Sequence, residues 1–257
     1  MQELCRREGL SICPFGRSEK RERRLIEIKL KAIIGIVLTL LLLITVTLTL
    51  ISTNIPLLAR SRHTQVFQGK STEVCGYISE NTTWTLAGSP YTVVCDVIVE
   101  PGAFLAIEPK AIVEFASGRN LVIYGGLVAQ GNTTHEITFT SNSTTPFPGD
   151  WGSVRFKGTH FLMSHVLVEY ATKGLELKNV ANISNSVISN CTVGIEEKLG
   201  YANNLIVMDN SADGLNLSSS PPIEIRFDKS VISNNGRNGI TVIGNSTINM
   251  DNCTVSN

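Results

Sequence analysis

The chain has 257 residues, 42% of them apolar and 17% charged, with 22 Lys and Arg balanced by 22 Asp and Glu. The zero formal charge hides a split: residues 1–31 carry nine basic and five acidic groups, residues 53–257 thirteen and seventeen. The larger, acidic portion has no basic patch for nucleic acid, and the basic tail suits anionic lipid headgroups.

Residues 1–31 read as a cytoplasmic tail. Its Cys5 and Cys13 fit neither a zinc knuckle nor a CxxC redox pair. From Ala32 to Ser52 run 21 uncharged residues, fourteen of them Leu, Ile or Val. As a helix such a run reaches about 30 Å, the thickness of a bilayer's hydrocarbon core. Lipid obliges its backbone groups to pair within the segment, so its β-branched residues do not prevent a helix. The stretch 12–31 holds seven Lys/Arg and the stretch 53–72 only three, which predicts a signal anchor with the N-terminus inside and the remainder outside. A cleaved signal peptide is the rival reading; its apolar region would be shorter and its cleavage site lined by small residues. Residues 53–84 are expected to form a stalk and N-terminal cap. Eight Asn-X-Ser/Thr sequons lie beyond the anchor, at Asn81, Asn132, Asn142, Asn182, Asn190, Asn216, Asn245 and Asn252, in agreement with an extracellular, glycosylated portion.

Repetition starts near Glu169. Tyr170-Ala-Thr-Lys-Gly174, Asn190-Cys-Thr-Val-Gly194, Asn210-Ser-Ala-Asp-Gly214, Asn235-Gly-Arg-Asn-Gly239 and Asn252-Cys-Thr-Val-Ser256 align at steps of 17 to 25 residues. Periods of this size signal a solenoid. Short Val/Ile/Thr segments punctuated by Asn and Gly point to stacked β-coils rather than helical or leucine-rich repeats. The glycine slot suggests a bend with positive φ. The column Asn190, Asn210, Asn235, Asn252 suggests an inward ladder of amides bonded from coil to coil. That register buries Asn190 and Asn252, so it predicts that those two stay unglycosylated while Asn81, Asn142 and Asn245 can carry sugar.

Residues 91–156 carry a more specific pattern: Pro101-Gly102, Leu105-Ala-Ile107-Glu-Pro109, Gly126-Leu-Val-Ala129-Gln-Gly131, Ile137-Thr-Phe139-Thr-Ser141 and Gly149-Asp150-Trp151-Gly152. This resembles the right-handed parallel β-helix repeat proteins of the pectate-lyase-like superfamily, which puts Gly where Lys110 stands here. The resemblance covers roughly residues 85–257 and implies an all-β right-handed parallel β-helix, behind one N-terminal transmembrane helix. It is specific for fold and weak for activity. In that fold Cys75 and Cys95, one repeat apart, either bridge neighbouring coils or remain two thiols. Cys191 and Cys253 share a column three coils apart, too far to bridge.

The fold also houses polysaccharide-active enzymes, and hydrolysis needs two carboxyl groups at a set separation. The position preceding the Asn column offers Glu169, Asp209 and Asp251, two rungs or about 9.6 Å apart. A solvent-facing acidic column is the simpler account. No clustered Asp/His motif, calcium nonapeptide, phosphate loop or Rossmann fingerprint occurs, and no cofactor or metal is implied. Trp151 reads as a core or cap residue beneath the Pro146–Pro148 loop rather than as a sugar platform. The sequence therefore favours a membrane-anchored, non-catalytic binding or adhesion scaffold for glycans or surface partners, with a hydrolase or lyase on the same fold as the alternative. No C-terminal cap is visible after Asn257, and the solenoid is expected to be part of a longer array.

Overall fold

The computed structural model describes residues 71–256. The basic tail, the apolar run 32–52 and its orientation, and the stretch up to residue 70 lie outside the described residues. Among those described, no helix is long and apolar enough to cross a membrane. They form an all-β parallel solenoid of about eight turns.

Each turn contributes one short strand to each of three walls. The first wall stacks Thr82–Trp84, Phe104–Ile107, Gly126–Gln130, His160–Ser164, residues 182–184, residues 201–203, Glu224–Asp228 and Thr247–Asp251. The second stacks residues 91–93, Ile112–Phe115, Ile137–Ser141, Val166–Glu169 and their successors to Thr254–Val255. The third runs from residues 97–99 through Leu121–Ile123 and residues 154–156 to Ile240–Ile243. All of these pairings are parallel.

Period-2 alternation explains the arrangement, because successive side chains of a strand point to opposite faces. In Ile137–Ser141 the side chains of Ile137 and Phe139 are fully buried while Thr138 and Thr140 face outward. Inward positions then stack coil upon coil: Val113, Phe139, Val168, Ile188, Val207 and Ile232 form one column with no exposure. Each such side chain contributes roughly 1.5–3 kcal/mol by leaving water. The column ends on Val255, 49% exposed, and the first wall's inward column ends on Met250, 41% exposed.

Two corners turn the chain through residues with positive φ. Between the first and second walls stand His165, Asn185, Asn204, Lys229 and Asn252; between the second and third stand Tyr170, Asn190, Asp209 and Asn234. Asn and Asp tolerate this left-handed conformation better than other non-glycine residues. Lys110 also has φ of +71°, the left-handed conformation that glycine adopts without steric cost.

This register corrects the expected amide ladder. Strand pairing sets Ser189 beside Met208, which aligns Cys191, not Asn190, with Asn210. Only Asn210 and Asn235 are stacked inside, with Asn210 Nδ2 donating to Asn235 Oδ1 at 2.9 Å. Asn190 occupies one left-handed corner and Asn252 the other, and Asn252 is exposed. Asn190 is half-buried at its corner rather than stacked inside, so neither sequon has the interior position on which the expected lack of sugar rested. Cys253 abuts Ser230, whose N–H donates to its Sγ at 3.4 Å, so Cys191 and Cys253 lie in different columns; both are free thiols.

The glycine slot is corrected too. Gly174, Gly194 and Gly214 are not among the positive-φ glycines. A Cβ on Gly194 would come within 2.7 Å of Val207 Cγ1, and one on Gly214 within 2.7 Å of Asn235 Nδ2. Close approach between coils, not backbone twist, demands glycine there. At the other end Cys75 and Cys95 are bonded, with Cα atoms 5.0 Å apart. They join Thr72–Ile78 to Tyr91–Val99, so the segment expected as stalk and cap already supplies a paired strand.

Candidate ligand faces

The outer surfaces of the walls are where chemistry could occur. On the second wall Glu169 pairs laterally with Ser189, and Ser189 with Met208. Asp209 is one residue further on, at the exposed corner, and Asp251 lies on the first wall beside Asp228. The three carboxylates considered for hydrolysis thus occupy three different columns and form no pair. Glu169 instead accepts a hydrogen bond from Thr140 Oγ1 at 2.9 Å. Burial pushes its carboxyl above the ordinary value, the Thr140 bond opposes this, and Glu136 adds to it. Burial likewise raises Glu114.

A raised carboxyl favours the fold while protonated, and that contribution fades as pH rises through the folded-state value. Glu169→Gln keeps an acceptor for Thr140 and removes the buried charge. Thermal melts should therefore show the variant the more stable at pH 7 and lose that advantage below the usual Glu range. A variant that is weaker at pH 7 and recovers in acid would mean that the carboxylate serves a charged partner.

The third wall carries a charge network that the sequence reading missed. Arg155 Nε donates to Glu176 Oε2 at 2.6 Å, and Lys178 Nζ reaches Glu176 Oε1 at 3.0 Å. Lys178 also pairs with Glu197, and Lys173 with Glu196. The buried position works to raise Glu176, but the hydrogen bonds from Arg155 and Lys178 outweigh it and hold the carboxyl below its usual range. The bond to Glu197 raises Lys178 against a smaller burial effect. Glu176, Glu196 and Glu197 each place an oxygen within 4.8 Å of the others. That spacing could hold a cation, but Arg155, Lys173 and Lys178 already supply three positive charges. The signal was available: Glu176 and Glu196 each follow a repeat glycine by two residues, the position that faces outward on this wall.

The first wall is different. Its outward column reads Leu162, Asn182, Tyr201, Arg226 and Asn249, one residue per rung. Tyr201, Glu224 and Arg226 line an open hollow of about 470 Å³. Asn249 Nδ2 donates to Glu224 at 2.6 Å and Asn203 Nδ2 to Asp228 at 2.8 Å.

Trp151, by contrast, is wholly buried. Its ring stacks on Phe115 at 4.0 Å, and its Nε1 donates to the Glu169 carbonyl at 2.8 Å. Its neighbours are structural as well: Asp150 accepts from Ser141, and a Cβ on Gly152 would collide with Asn120. Of the sequons singled out for sugar, Asn81, Asn142 and Asn245 are exposed, although Asn81 Oδ1 accepts from the Phe104 N–H at 3.0 Å. No protein-family model, curated protein or solved structure matches this chain.

Proposed function

We propose that the chain is a rigid surface scaffold that binds extended glycans or surface partners along the walls of its solenoid without turning them over. The reading extends to a membrane anchor at residues 32–52 and to a right-handed β-helix of the pectate-lyase-like kind. The third-wall network is the observation that carries it. Its closest carboxylates are each neutralised by Arg or Lys, so none is free to work as a general acid, while side chains repeat outward at every rung.

Polysaccharide hydrolysis is the second reading, favoured by one feature. Glu176 and Glu196 approach as closely as the pair of a retaining glycosidase, for which about 5–5.5 Å is usual. Glu176 is held ionised, as a nucleophile would be. A retaining enzyme also needs a protonated partner, and Glu196 is tied to Lys173.

A glycan array read together with reducing-sugar release separates the two. The scaffold predicts binding with no release. Release that Glu176→Gln abolishes would replace the scaffold with a hydrolase, and the absence of both binding and release would reject both.

A further inference from the structure

The side chains on the first wall specify what the scaffold holds. Within a solenoid the backbone N–H and C=O groups of a wall are spent on the rungs above and below. A ligand lying on that wall meets side chains alone, so an added β-strand of peptide finds no partners there. What it meets is an aromatic ring, Tyr201, 37% exposed, paired laterally with Arg226. Among the described residues the Arg226 side chain makes no hydrogen bond or ion pair. Glu224 and Asp228 flank Arg226 on the same strand, two residues to either side, and face outward with it. Both carboxylates receive amide hydrogen bonds from neighbouring rungs. Asn182 and Asn249 extend the column in either direction.

An apolar ring face beside an unengaged guanidinium and two carboxylates held by amides is the chemistry that recognises a pyranose: C–H groups against the ring, hydroxyls between guanidinium, carboxylate and amide. The rungs advance by about 4.8 Å, close to the advance of one sugar in an extended chain, so successive rings meet successive side chains. Charge decides which glycan fits. On these two rungs Glu224, Asp228 and Asp251 outnumber Arg226 and the corner Lys229, leaving the surface slightly negative and repelling uronate or sulfate.

We infer that the first-wall hollow at Tyr201, Glu224 and Arg226 binds a neutral, hydroxyl-rich polysaccharide laid along the solenoid axis. This rests on the scaffold reading and names its ligand class.

The test is calorimetric titration of the full chain, kept in detergent and made without N-glycosylation so that nothing attached to Asn182 covers Tyr201. Cellohexaose serves as the neutral probe and a galacturonate hexamer as the acidic one. Cellohexaose should bind and the galacturonate hexamer should bind more weakly. Tyr201→Ala and Arg226→Ala should each weaken cellohexaose about tenfold. Tyr201→Phe should bind as the parent does, because the stacking face is retained, and Lys173→Gln on the third wall should change nothing. Cellohexaose binding that survives Tyr201→Ala, or that Lys173→Gln abolishes, overturns this site and leaves the scaffold standing. Tighter binding of the galacturonate hexamer overturns the charge argument and with it the ligand class. A chain that binds neither probe overturns the site, and the array search then judges the scaffold independently.

Discussion

Trp151→Ala should cost about 3–5 kcal/mol, the range for emptying a large aromatic site in a packed core. The indole is fully buried, lies flat on Phe115 with 7° between the ring planes, and starts the strand Trp151–Phe156. Alanine would leave a void against Phe115, and would orphan the Glu169 carbonyl that now receives the indole N–H. Because a solenoid's stability is roughly a sum over neighbouring coil interfaces, the damage should begin in the coils containing Phe115 and Ala171, the strand partner of Trp151. Trp151→Phe refills most of the volume and should cost about 1–2 kcal/mol, mainly for the lost hydrogen bond. Urea unfolding of both variants is the measurement. A cost below 1 kcal/mol for alanine, accompanied by weaker glycan binding, would restore Trp151 as a sugar platform.

The solenoid was legible because two independent signals agreed. Val, Ile and Phe alternate with polar residues over four or five positions, as in Ile137–Ser141, and the segments recur at a loosely fixed step. What the sequence left open was the register to within one residue. The spacing between stacked partners is 20 residues from Val166 to Ser186, 19 from Cys191 to Asn210 and 25 from Asn210 to Asn235. A constant step from Asn190 therefore lands one place off. Residue type does not repair the slip, because asparagine suits both a left-handed corner and an internal amide stack. Asn234 and Asn235 are adjacent and do one each. The same slip put Glu169 and Asp209 in one column. Arg226 and Glu224 gave no comparable signal: in Glu224–Asp228 they look like the polar half of any alternating strand, and only stacking beside Tyr201 makes them a surface.

Asn210→Leu should cost about 2–4 kcal/mol although it places a more apolar side chain in an apolar core. Asn210 is 1% exposed. Its Oδ1 accepts the Cys191 N–H at 2.9 Å, its Nδ2 donates to Asn235 Oδ1 at 2.9 Å, and Asn235 Nδ2 in turn donates to the Val207 carbonyl at 3.3 Å. Leucine strands the Cys191 N–H and leaves Asn235 Oδ1 with only the longer bond from the Asn210 N–H at 3.3 Å; each unsatisfied buried group costs about 1–3 kcal/mol. Extra apolar burial cannot offset this, because the space is already tight against Gly194, where a Cβ would approach Asn210 Nδ2 at 3.1 Å. Cys191 reports on the outcome directly. It is fully buried, and burial pushes its thiol up to about 12, so the intact coil should keep it protonated and unreactive. In Asn210→Leu the coil opens more often. Iodoacetamide labelling located at Cys191 by mass spectrometry should then accelerate in step with the lost stability. Asn210→Asp provides a control whose defect depends on pH. It keeps the acceptor for Cys191 but sets a carboxylate against Asn235 Oδ1, so its defect should shrink as pH falls and the carboxyl protonates. A leucine variant that loses less than 1 kcal/mol and leaves Cys191 protected would show that the two amides do not hold these coils together.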